Sequence, residues 1–266
     1  MQWEFAGRLG PPPGRYVVRR FAGDEVRQVV IVSEPTPSAP PHRRRRRAPA
    51  GPPARVAPVT RVTVVDAAPL QDAAGWLRGA GVSATALDVL ARLVAGHRVA
   101  AADPAVADPD PARALVTRVG YGPGEIVAEG AWEAARELPP EPRRRRRGGD
   151  TRPHVRLAAL LSARDVALAC EELALRARGD LDHGRDREAA LQLEAALNAA
   201  LAELQGWRAT GDMASRLAEL RGYREGVAEA AAAAREGRLE DAHVETVAVA
   251  LPRLEAALRA RTAASG

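Results

Sequence analysis

The chain is 266 residues long, 46% apolar but only 3% aromatic, with a formal charge of +5. That length allows one or two domains with buried cores, and the shortage of aromatics means cores of Leu, Val and Ala, which suit closely approaching helices better than deep aromatic-lined pockets. The single Cys170 excludes an intramolecular disulfide and a zinc site built on several cysteines.

All 39 basic residues are Arg, and the excess of Ala, Gly, Pro and Arg fits a GC-rich bacterial coding bias, so the choice of Arg over Lys carries little meaning. Two runs of five, Arg43, Arg44, Arg45, Arg46, Arg47 and Arg143, Arg144, Arg145, Arg146, Arg147, supply ten of the positive charges; the rest of the chain is net −5. Neither foldable part is basic, which argues against a dedicated nucleic-acid-binding domain. Met1 to Gly10 lacks the apolar stretch of a signal peptide, and no window approaches the ~20 apolar residues of a membrane span. The expected location is cytoplasmic.

In chain order, Arg15 to Arg20 and Glu25 to Ser33 are β-branched runs that read as a β-hairpin over residues 1–34. Residues 35–58 are rich in Pro and Arg, with almost no large apolar side chain, and read as a disordered linker. Arg61 to Val65 predicts a third strand, Leu70 to Ala80 a short helix, and Ser83 caps a second helix through Val99 with Leu87, Leu90 and Val94 on its apolar face. Ala114 to Val119 predicts a fourth strand leading into the glycine-rich Gly120 to Glu125. Residues 59–138 thus complete an N-terminal α/β domain with the hairpin, and 139–153 form a second Pro/Arg linker.

Residues 154–262 change character. Val155 to Arg178, Arg185 to Trp207, Met213 to Arg235 and Asp241 to Arg259 predict four helices punctuated by Gly and Asp. Ala190, Leu193, Leu197, Ala200, Leu204 and Trp207 repeat at 3-4 spacing, as do Val244, Val247, Leu251, Leu254 and Leu258. Met213, Leu217, Leu220, Arg224, Val227 and Ala231 do the same with one charged intrusion. Stripes of two to three heptads with short connections predict an antiparallel bundle of about four helices, and Pro252 should kink or restart the last one. The fold class is therefore α+β.

Chemistry-bearing features are few. A strand followed by closely spaced glycines can cradle a phosphate, so Arg118, Gly120, Tyr121, Gly122, Gly124 and Glu125 are candidate ligand residues; yet Glu125 stands where a third Gly belongs, and a turn is the plainer reading. Asp180, Asp182, His183 and Asp186 could ligate a cation, but at a helix junction Asp is expected to cap. Cys170 is flanked by Glu171 and Glu172, which raise a thiol pKa. No cofactor, metal or catalytic residue is indicated. The expected function is a non-catalytic interaction or assembly protein acting through the bundle, on a protein partner or a second copy, with Trp207, Tyr223 and Val227 near its seams. The alternatives are a nonspecific nucleic-acid-associated protein using both arginine runs, and a nucleotide or phosphate binder at residues 120–125.

Overall fold

A computed structural model describes residues 1–19, 25–35, 58–139 and 153–264. The chain divides into two compact units, 1–143 and 144–266. Most of both expected linkers, including the two arginine runs, lies outside the described residues.

The first unit is a six-stranded antiparallel sheet of β1 (Gln2–Ala6), β2 (Gly14–Val18), β3 (Gln28–Ser33), β4 (Val59–Asp66), β5 (Val116–Tyr121) and β6 (Ala134–Glu137), in the order β2-β3-β4-β1-β5-β6. Strands β2 and β3 are the expected hairpin, with Tyr16 opposite Val30. Strand β1 was not expected, yet it is central: Trp3 lies opposite Val62 of β4 and Thr117 of β5. Its alternation explains it. Successive side chains point to opposite faces of a strand, so Trp3 and Phe5 share a face with Val30, Val32, Val62 and Val64, and all six are buried.

Helix α1 (Ala73–Gly79) and helix α2 (Ala84–Ala101) follow β4. Ser83 caps α2 as expected, its hydroxyl accepting from the Ala86 amide, and Ala86, Val89 and Leu90 pack onto the sheet's apolar face. Val89 and Leu90 each contribute roughly 1.5–3 kcal/mol on burial. The opposite face is polar: Arg61 pairs with Glu4 at 2.7 Å, and Arg118 donates to Gln2 Oε1 and Glu137 at 2.7 Å each.

The second unit contains α3 (Pro153–Leu161), α4 (Ala169–Asp182), α5 (Asp186–Glu203), α6 (Met213–Arg235) and α7 (Asp241–Ala264). Helices α4 to α7 pack antiparallel in succession. Glu203 at the end of α5 accepts from the Ala169 and Cys170 amides at the start of α4, and Arg187 at the start of α5 donates to the Ala234 carbonyl near the end of α6. Glu219 and Arg253 join α6 to α7, while Arg178 and Glu255 close α7 onto α4 at 2.9 Å.

The stripes read from the sequence form the core. Leu193, Leu197, Leu204, Leu217, Leu220, Leu251 and Leu254 are buried together with Ala189, Ala196, Ala230, Ala234, Ala250 and Ala257. The charged intrusion is resolved locally: Arg224 is exposed, and Tyr223 packs against the core instead. Pro252 does not restart α7, which is continuous from Asp241 to Ala264.

One expected helix, Val155 to Arg178, is two. Ala163 takes a left-handed φ of 55°, Ser162 turns its hydroxyl back to the Ala158 carbonyl, and Asp165 accepts from the Val166 amide; such local bonds compete with helix continuation. No single helix among the described residues is long and apolar enough to cross a membrane.

Candidate functional site

The glycine-rich segment is not a tight turn. After β5 the chain runs through Gly122 and Pro123 into a 3-10 turn, Gly124–Glu129, and returns as β6. The glycines have packing reasons. A Cβ on Gly120 would stand 2.5 Å from the Ala134 carbonyl oxygen, and one on Gly122 would stand 2.9 Å from Val127 Cγ1. Gly124 adopts φ +65°.

This segment borders a cleft of about 840 Å³ at the end of the sheet where β4 and β5 finish and β3 begins. Gly120, Tyr121, Gly122, Gly124 and Glu125 all line it; Arg118 does not, being held by Gln2 and Glu137 on the polar face. Trp76, Leu70 and Val82 line it from the α1 side, and Trp132 from the segment before β6. Three of the chain's nine aromatic residues therefore converge on one cleft. Sequence reasoning expected no aromatic-lined pocket, because Trp76, Tyr121 and Trp132 are far apart in the chain and only the fold assembles them.

The aromatics are held in place differently. Trp132 buries its indole N–H without a partner among the described residues, so packing alone fixes it. Trp76 rides on α1, whose Asp72 accepts from the Gly75 amide at 2.8 Å. Arg136 of β6 ties down the other end of α1, donating to the carbonyls of Leu77 and Ala80. Trp76 itself is 41% exposed.

The charges of the cleft have one sign. Asp66, Glu125 and Glu133 line it, and none of the described lining residues is an arginine. Arg15 reaches Glu125 from outside with two 2.7 Å bonds, which hold that carboxyl below its usual range. Asp66 and Glu133 form no ion pair among the described residues; Asp66 accepts only the Ala68 amide, at 3.0 Å. The Met1 amine also lines the cleft, but burial pushes it down to about 6 against the pull of Asp66, so it is largely uncharged at neutral pH.

A second cavity, of about 870 Å³, is lined by Arg19, Glu25, Arg27, Asp66, Asp88 and Arg92 with mixed charge. Two of these residues flank positions 20–24, which lie outside the described residues.

The other candidates resolve as follows. Asp180 and Asp182 sit in the last turns of α4, where a carboxylate opposes the helix dipole. Arg185 compensates Asp180 at 2.7 Å and Arg178 approaches Asp182 at 3.7 Å. Only Asp186 stands in a helix first turn, where it complements the dipole; the N-cap position is Arg185, with no side-chain cap hydrogen bond. Among the described residues no cluster of His, Cys, Asp or Glu could hold a metal ion.

Cys170 is fully buried, and burial, the Glu203 carboxylate and Glu171 drive its thiol pKa far upward, so the group is a protonated core residue.

Sequence reasoning missed a charged network in the helical unit. Arg261 is 2% exposed, donates to Asp165 at 2.6 Å and lies 4.7 Å from the centroid of Trp207. Asp165 also accepts from Arg156, which pairs with Glu171 at 2.6 Å, and Glu171 in turn accepts the Leu168 amide. Burial would raise the Asp165 carboxyl, but hydrogen bonds from Arg261, Val166 and Arg156 outweigh it and hold the group below its usual range.

No protein-family model, curated protein or solved structure matches the chain.

Proposed function

We propose that this chain is a non-catalytic interaction protein that assembles with a second copy of itself through its helical unit. The observation that carries the reading is α3. No residue of this nine-residue helix is fully buried, and its Val155, Leu157 and Leu161 are 53%, 56% and 81% exposed. Val166 and Leu175 are exposed nearby, Leu175 one turn beyond the Glu171 that binds Arg156. Leu157 and Leu161 lie one turn apart on one face of α3, and exposed apolar surface of this kind marks interaction sites.

A second copy suits the charge pattern. Arg156 is the only charged residue of α3, and it is turned inward to Asp165 and Glu171, so pairing two α3 helices about a two-fold axis places no like charges of the helix face to face. The run 143–147 stands five residues before α3 in sequence. Its mutual repulsion opposes pairing at low salt, and screening relieves it.

Light scattering after size exclusion, at low and high salt, tests this. The expected mass is a dimer that strengthens with salt and reverts to monomer in Leu157→Glu with unchanged helical circular dichroism. A concentration-independent monomer mass at both salt levels overturns it. Nonspecific nucleic-acid binding through the arginine runs is a second reading carried by sequence alone, and salt separates the two: phosphate contacts weaken steeply as salt rises.

A further inference from the structure

We propose that the cleft at the end of the sheet is a binding site for a small soluble organic cation with a methylated ammonium head. Three observations converge on one place. Trp76, Tyr121 and Trp132 line the cleft in a chain with nine aromatic residues in all. Asp66, Glu125 and Glu133 line it as well, and no described lining residue is an arginine although the chain carries 39 of them. The volume, about 840 Å³, lies within the range of small-molecule sites.

Each observation limits the ligand. A ring face carries negative potential and attracts a cation, most strongly when the cation is poorly hydrated, and recognition of quaternary ammonium by aromatic walls is the recurrent use of that attraction. The carboxylates add the same sign of field, and Asp66 and Glu133 are not spent on arginines. An anion would meet like charge, so phosphate is the poorer occupant even though Gly120, Gly122 and Gly124 border the space. Gly120 and Gly122 are required by the close return of the chain at Ala134, Val127 and Ala131, and Gly124 by its left-handed φ of +65°, which removes the need for a ligand to explain them. The cleft exceeds the volume of an ammonium head, so the ligand carries an apolar body that rests on Leu70 and Val82.

The site is also built to keep its shape. Arg136 fastens α1 to β6 at Leu77 and Ala80, so the helix bearing Trp76 and the strand after Trp132 move together.

The test is calorimetric titration of the full chain at constant ionic strength with choline and with its uncharged isostere 3,3-dimethylbutan-1-ol. The expected result is saturable choline binding and isostere binding at least about tenfold weaker. Trp76→Ala, at an exposed position, is expected to abolish the signal, and Glu133→Gln to weaken it several-fold, both with unchanged circular dichroism. Equal affinity for the isostere, no saturable binding of choline, or tighter binding of inorganic phosphate overturns the proposal. Phosphatidylcholine vesicles form the last arm: retention of the chain by vesicles without binding of free choline also overturns it, since the head would then be read only on a membrane.

Discussion

The two units treat charge in opposite ways. In the sheet unit, charged pairs such as Arg61–Glu4 and Arg118–Glu137 stay on the polar face, and the polar residues that are buried among those described, Gln2, Thr60 and Thr63, are uncharged. In the helical unit Arg261 is 2% exposed and is matched to an Asp165 side chain that is 9% exposed. The difference follows from backbone hydrogen bonding. Central strands satisfy one another along their length, whereas each helix leaves several amides and carbonyls unsatisfied at its ends. The bundle meets that need with carboxylates drawn inward: Glu203 on Ala169 and Cys170, and Glu171 on Leu168. Arg156 pairs with Glu171, and Arg156 and Arg261 together pair with Asp165.

The buried charge of the helical unit is most exposed to test at Arg261. Removing one partner of a buried pair leaves the other charge unpaired, so Arg261→Ala should destabilise the helical unit by about 3–5 kcal/mol. Trp207, the only tryptophan of that unit, reports the transition in urea. The sheet unit has its own sensitive point. Gly120→Ala places a Cβ 2.5 Å from the Ala134 carbonyl and should cost roughly 1–3 kcal/mol, read through the tryptophans at 3, 76 and 132.

A smaller loss, about 1 kcal/mol, is expected for Glu203→Ala, which deletes the capping carboxylate of α4. Its pH dependence sharpens the contrast. Glu203 and Asp165 have lowered carboxyl pKa values, so their contribution is complete above the ordinary carboxylate range and is lost as pH falls through the lowered values. The Cys170 thiol is raised, so its contribution is complete below the unfolded thiol value of about 8.5 and declines as pH rises above it. Thiol labelling of the native chain at pH 8 should accordingly be slow and limited by opening of the bundle. The exposed pair Arg15–Glu125 should matter least: Glu125→Gln is expected to leave the urea midpoint unmoved.

Much of the helical unit was legible in the sequence because its core repeats locally. The spacing of Leu193, Leu197, Ala200 and Leu204 encodes a face without reference to any other segment, and Ser83 announces the start of α2 by its own hydroxyl. What the sequence hid depends on distant residues. Strand β1 shows only Trp3 and Phe5 alternating with polar neighbours, and its rank as a central strand comes from β4 and β5. Ala134 to Glu137 has little intrinsic preference for strand, and β5 recruits it. The split between α3 and α4 depends on Asp165 being claimed by Arg156 and Arg261. The cleft is the extreme case: Trp76 sits in an Ala- and Gly-rich helix with no apolar stripe to account for it, a local oddity that gains meaning only beside Tyr121 and Trp132.

The position of β1 also sets the order of events during synthesis. Residues 2–6 leave the ribosome well before their partners, residues 59–63 and 116–118. The β2–β3 hairpin can close as soon as it emerges. Trp3 and Phe5 must wait for more than fifty further residues before any strand can shelter them, and for more than a hundred before both neighbours exist. Contacts of such high sequence separation slow folding, so the sheet unit should be the slow-folding half of this protein and the helical unit the fast one.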